Sequence, residues 1–209
     1  MNDKKIDCCF LITPNSLRSY QSLSKDYAAI EPPTWALLLA ESMRSVGNNV
    51  MILDANAEGL SEKQILDRIL EFGPKLICFV VYGQNVNAGT TNMSGTTYIA
   101  NYLKDNNVSS PISFIGSHVQ ALPIETLEKE KSIDFVFTNE GVYALRNVLQ
   151  LSEISEDTLR NIKGIAFRDK KKISTKKFLF LILLIQIFLI AFNFFIVKEN
   201  GLSKRLPNI

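Results

Sequence analysis

Chemically versatile residues in this sequence gather in five short clusters, each directly after an apolar run. They are Thr13-Pro14-Asn15-Ser16, Asp54-Ala55-Asn56-Ala57-Glu58-Gly59, Tyr82-Gly83-Gln84, Gly116-Ser117-His118 and Asn139-Glu140-Gly141. Asp54 and Glu58 read either as an acid/base pair or as loop carboxylates that complement the positive end of a following helix. His118 is the only histidine. With no serine or cysteine nucleophile in an identifiable context it builds no triad. It stands either as a ligand contact or as a loop residue bonded to backbone. The glycines at these ends would let a flat ligand come close to the main chain.

Several chemistries are excluded by what is missing. There is no GxxxxGK[ST] and no GxGxxG, so no phosphate-cradling loop of either kind is encoded. The clusters after the first and third apolar runs lack the acidic residues that a magnesium-dependent phosphoacceptor needs. A flavin reading stays open, because a Thr/Ser/Asn-rich loop can hydrogen-bond a phosphate. The three cysteines, Cys8, Cys9 and Cys78, show neither CxxC nor CxxxCxxC spacing, which excludes zinc and iron–sulfur sites. They read as small buried residues in a reducing compartment. Lys and Arg total 23 against 21 Asp and Glu, a formal charge of +2, so no whole-chain field argues for nucleic acid.

The elements that must carry these clusters are legible from periodicity. Residues 49–82 read as a complete βαβ unit. Residues 50–53 form an uninterrupted apolar run, Ser61 and Gln64 form a capping box, and Ile65, Leu66, Ile69 and Leu70 recur at helical spacing. Gly73-Pro74 then stops the helix, and residues 76–81 begin another buried strand. Further strands are expected at 6–12, 111–115 and 133–137. Further helices are expected at 35–46, 96–105 (begun near Met93), 123–130 and 142–151. Residues 83–95, small and polar, read as a loop. Strand–helix alternation five times over predicts an α/β fold: a five-stranded, parallel, doubly wound, flavodoxin-like (Rossmann-like) sheet in the order 2-1-3-4-5. In such a sheet the five clusters all fall on the carboxyl edge. Residues 165–167 and 172–174 could add a small hairpin.

Composition changes abruptly after this. From Phe178 to Val197 runs an uncharged apolar stretch of about 20 residues, long enough to cross a bilayer. Lys170, Lys171, Lys172, Lys176 and Lys177 precede it, against Lys198, Lys204 and Arg205 after it. The expectation is a cytoplasmic α/β domain anchored to a membrane by a single C-terminal hydrophobic helix. No signal peptide is read at the N-terminus. The expected organisation is an α/β domain over 1–155, a hairpin and basic linker over 156–177, a transmembrane helix over 178–197 and a tail over 198–209.

Four segments in order, EPPTWALLLAESMRSVGNNVMILDANAEGLS, VVYGQ, IGSHVQALPIETLE and DFVFTNEGVYAL, resemble the N-terminal cobalamin-binding domain of cobalamin-dependent radical S-adenosylmethionine enzymes. The resemblance covers residues 6–167 and implies a corrinoid lying against the carboxyl edge. Gly116, Ser117 and His118 match the family's Gly-Gly-x-His-type turn, with Ser117 in place of the second glycine. Glu140 and Gly141 match a Gly-Glu-Gly segment, with Asn139 in place of its first glycine. Tyr82, Gly83 and Gln84 match the loop beneath the corrin ring, and Thr13, Pro14, Asn15 and Ala55 fall among the implied cofactor contacts. Asp54 and Gly59 align with the ends of a DxHxxG signature whose histidine ligates cobalt. Asn56 stands at that position here, and an amide is a poor cobalt ligand. The resemblance therefore implies base-off binding without histidine ligation.

Full-length relatives continue into a barrel whose CxxxCxxC cysteines hold an iron–sulfur cluster. This sequence has no such cysteines, so the expectation is a corrinoid-binding module that is not catalytic alone. It would carry no cluster and would work with a separate radical S-adenosylmethionine domain or enzyme. The apolar tail reads as a membrane tether or as the product of a shortened or frameshifted reading frame. A second function class stays open: a membrane-anchored flavodoxin-like domain that binds another ligand or a protein partner.

Overall fold

The computed structural model describes residues 5–14, 32–82, 86–170 and 172–176, all within one compact unit, Met1–Lys176. Buried apolar runs become strands β1 (Cys8–Ile12), β2 (Val50–Asp54), β3 (Leu76–Val80), β4 (Ile112–Ile115) and β5 (Phe135–Phe137). All pair in parallel, in the order β2-β1-β3-β4-β5. The helices are α1 (Thr34–Arg44), α2 (Glu62–Phe72), α3 (Val86–Asp105), α4 (Ser117–Ala121), α5 (Pro123–Lys129), α6 (Val142–Leu149) and α7 (Glu156–Leu159).

The expected five-stranded sheet needs a correction. Among the described residues the sheet has seven strands, because β6 (Ile165–Asp169) and β7 (Lys172–Lys176) continue it antiparallel beyond β5. The reason is apolar complementarity across one ladder. Phe135 lies opposite Phe167 and Phe137 opposite Ile165, all at most 1% exposed, so β6 completes the core. The hairpin is thus part of the main sheet. The C-terminal hydrophobic helix expected from Phe178 to Val197 lies outside the described residues, among which no helix is long and apolar enough to cross a membrane.

Two cores sandwich the sheet. One face packs Ile65, Leu66 and Ile69 of α2, Ile99, Ala100 and Leu103 of α3, and Leu127 of α5. The other packs Ala36, Leu39, Ala40 and Met43 of α1 with Ala144, Leu145, Val148 and Leu149 of α6. Strand residues alternate between them: Cys9 and Leu11 face the first, Cys8 and Phe10 the second. The three thiols are all buried, and burial pushes those of Cys9 and Cys78 up to about 12.

Helix α2 forms as its sequence predicts. Ser61 Oγ accepts from the Gln64 N–H, Gln64 Oε1 accepts from the Ser61 N–H at 2.9 Å, and Gly73 ends the helix in the left-handed region. Helix α3 does not follow expectation. It begins at Val86 and takes in most of the stretch read as a loop. Two of its threonines turn inward: Thr96 Oγ1 donates to Asn92 O at 2.8 Å and Thr97 Oγ1 to Met93 O at 3.0 Å. Hydroxyls satisfied one turn back can be buried, so polarity misreports this helix.

Candidate functional site

The parallel strands deliver their following loops to one edge of the sheet. At the end of β1, Thr13 is buried and its hydroxyl lies 2.9 Å from that of Thr96 on α3, with Pro14 half-buried beside it. Asn15 lies outside the described residues. At the end of β2, Asp54 pairs in register with Ile12, and the Ala55 N–H donates to Ile12 O at 2.9 Å, joining two of the predicted clusters. Asp54 Oδ1 accepts from the Ala57 N–H at 3.0 Å, while Glu58 pairs with Arg68 at 3.6 Å. The two carboxylates therefore do not form an acid/base pair. Asp54 braces its own loop and leaves the capping of α2 to Ser61. Gly59 takes φ +62° to close the loop, and Asn56 remains half-buried on it.

At the end of β3, the Tyr82 ring stacks on Trp35 of α1, with centroids 4.5 Å apart and planes 23° from parallel. Burial and the nearby Glu140 carboxylate push the Tyr82 hydroxyl up to about 12, so at neutral pH it remains a protonated donor. Gly83 and Gln84 lie outside the described residues. Glu140 is itself exposed, and Asn139 Oδ1 accepts from the Gly141 N–H at 2.8 Å to form the turn into α6. Trp35 was not singled out from sequence, where it reads as one more residue of an apolar helix. It is 41% exposed, off the core face of α1. The available signal was that off-face position, directly behind Pro32-Pro33.

The glycines have a tighter role than sequence implied. A Cβ on Gly116 would collide with the carbonyl of Val81, and one on Gly141 with the Ile115 side chain. At Gly116 that space is filled by backbone, so packing itself requires glycine, and Gly141 is held to glycine by its left-handed φ of +75°. Ser117 opens α4 against Gly89 of α3, where a Cβ would meet the serine hydroxyl. His118 places Nδ1 3.1 Å from Thr90 Oγ1, a side-chain partner on α3.

The edge therefore has two halves. Thr90, Ser117 and His118 line the α3 side with hydroxyls and one imidazole, above the buried Thr13–Thr96 hydroxyl pair. Trp35, Tyr82 and Glu140 line the α1–α6 side with two rings and a carboxylate. A cavity of about 250 Å³ opens beside His118, between α3 and the α4–α5 pair. A larger one, about 410 Å³, lies at the opposite, amino edge near Lys104, Asp134 and Arg168. Among the described residues no group of three His, Cys, Asp or Glu could hold a metal ion.

A family model described as B12 binding domain matches residues 23–149. No curated protein matches the sequence. Among solved structures, the fold is similar to part of the radical S-adenosylmethionine methyltransferase TsrM from Kitasatospora setae. With tryptophan substrate and the analogue aza-SAM bound, that enzyme matches at 15% identity and TM-score 0.60, over 81% of this chain and 30% of that one. With cobalamin and a 4Fe-4S cluster bound, it matches at 14% identity and TM-score 0.60, over 82% and 29%. The apo cobalamin-dependent S-adenosylmethionine radical enzyme OxsB matches at 16% identity and TM-score 0.57, over 84% and 22%. The chain thus spans less than a third of each of these enzymes, and at these identities the likeness is one of fold.

Proposed function

This chain belongs to the B12 binding domain family, and from that premise we propose that it is a corrinoid-binding module whose cofactor lies on the carboxyl edge of the sheet. The observation that carries the reading is the family match itself, which runs from before α1 to the end of α6. It takes in every loop of the edge after that of β1.

The donor set fits such a ligand. A corrinoid presents a flat, largely apolar ring fringed with neutral amides. The edge offers two stacked rings, the exposed Thr90 beside His118, and the half-buried amides of Asn56 and Asn139. Neutral donors and acceptors suit neutral amides, and stacked rings suit a flat face. When bound, the corrinoid supplies a redox-active cobalt centre, and the protein supplies position and surroundings. Gly116 and Gly141 keep the loops after β4 and β5 pressed onto the sheet, and Asp54 holds the loop after β2 closed.

Binding is base-off and without a histidine ligand. Asn56 offers cobalt only an amide, and His118 has its Nδ1 directed at Thr90. The reaction chemistry belongs to a radical S-adenosylmethionine domain or enzyme that works with this module. The apolar residues from Phe178 to Val197 confer membrane association, which fractionation with and without detergent tests.

The deciding experiment is reconstitution of the full chain with hydroxocobalamin, followed by gel filtration and absorption spectroscopy. Stoichiometric retention with a base-off spectrum is expected. Failure to retain corrinoid overturns the reading, and a histidine-on spectrum overturns the ligation.

A further inference from the structure

The aromatic half of the edge contains a feature that the family match does not assign. Trp35 sits in the first turn of α1, where the core positions are Ala36, Leu39, Ala40 and Met43. Its indole is therefore not spent on the core, and at 41% exposure a large apolar ring faces outward. It is nevertheless held in place. The Thr34 N–H donates to Pro32 O at 2.8 Å and the Leu37 N–H to Pro33 O at 2.9 Å, which fixes the start of the helix. Tyr82 backs the indole at 4.5 Å and is itself packed against the α1–α6 core. A rigid exposed ring costs little further ordering when a flat ligand lies on it.

We propose that Trp35 is a corrinoid-contacting residue, the outer ring of a two-ring platform on which the cofactor's apolar surface rests, with Tyr82 as its support. This rests on the corrinoid reading above. In the pair the exposed ring is Trp35 and the half-buried one is Tyr82. A flat ligand at this half of the edge therefore touches the indole, and Tyr82 acts by positioning it.

Three full-length variants and one label test this. Hydroxocobalamin affinity is measured for the wild type and for Trp35→Phe, Trp35→Ala and Leu38→Ala. Leu38, one turn further along α1 and 60% exposed, controls for surface apolarity. Trp35→Ala should weaken binding about tenfold and Trp35→Phe less, the scale of one aromatic contact, while Leu38→Ala leaves affinity unchanged. Trp35 is the only tryptophan, so 5-fluorotryptophan labelling of the otherwise unaltered chain gives a single fluorine resonance. That resonance should shift when the diamagnetic Co(III) corrinoid saturates the protein, a result independent of whether Trp35→Ala folds well. No binding by the wild type defeats the corrinoid reading itself. Binding with an unmoved resonance and unchanged Trp35→Phe and Trp35→Ala affinities defeats this inference alone.

Discussion

The two edges of the sheet are held together by different forces. At the amino edge, charged side chains close on main-chain groups. Arg168 donates to the carbonyls of Leu127 and Glu130, each at 2.6 Å, and to that of Ile133. Asp134 accepts from the Ile112 N–H at 2.7 Å and from Lys104 at 2.9 Å, and Lys75 donates to the carbonyls of Leu149 and Leu151. At the carboxyl edge most fastenings are neutral, namely paired hydroxyls, stacked rings and closely packed glycines, with Asp54 and the exposed Glu58–Arg68 pair bracing the loop after β2. Buried charge is tolerable where it satisfies fixed carbonyls, and it fills the amino edge with structural work. The larger cavity lies there, yet its charged lining is already committed to the fold. The carboxyl edge presents an exposed indole and half-buried amides, the surface on which the proposed corrinoid would rest.

This contrast can be broken in four ways. The largest effect involves the strands that join both edges. The Cys9 and Cys78 thiols are held near 12, well above their ordinary value of 9, by burial. A raised acid pKa leaves the unfolded chain to lose its protons first. Stability is therefore full below about pH 9 and falls as pH rises through 12. Circular dichroism should show cooperative alkaline unfolding in that window, moved to higher pH in Cys78→Ala. Tyr82, also raised to about 12, adds a smaller loss above pH 10.

Next comes Gly116→Val at the carboxyl edge. Its side chain has no space beside Val81, so urea unfolding should show a loss of about 3 kcal/mol, the upper range for forced overpacking. Arg168→Met at the amino edge should cost about 2 kcal/mol by stranding carbonyls, while corrinoid affinity of the folded protein stays unchanged. If that affinity falls in step with stability, the two edges are not separable in the way drawn here. Smallest is Thr13→Val, about 1 kcal/mol by the same measurement. It removes the neutral hydrogen bond to Thr96, whose hydroxyl keeps its bond to Asn92 O.

Local signals were readable in the sequence where one segment determines its own structure. The capping box of α2, the Gly73 stop and the parallel strands with apolar runs all formed as their residues predict. What escaped depended on partners distant in sequence. Residues 86–95 look like a loop because small polar residues usually are one. They are helical because Gly89 admits Ser117 and Val81, and because Thr96 and Thr97, just beyond, return their hydroxyls to the carbonyls of Asn92 and Met93. Strands β6 and β7 joined the main sheet because of Phe167 opposite Phe135, a match visible only once β5 is in place. Helix α7 is four residues long, too short for any periodicity to register. At the site, Asp54, Ala55 and Tyr82 fall on the edge as the alternation implied. Trp35 did not stand out, since its meaning comes from a ring 47 positions later.

Strand β1 sits between β2 and β3, pairing Cys8 with Val50 on one side and with Leu76 on the other. Among the described strands of this sheet it is also the first to be made. A ribosome adds roughly 5–20 residues per second, so this apolar strand waits several seconds for its second neighbour. During that interval both of its borders are open to other chains. A strand paired on both borders in the finished protein is thus open on both borders in the nascent chain. Yield on expression should therefore respond to translation speed across residues 13–75, the stretch that separates β1 from its second neighbour.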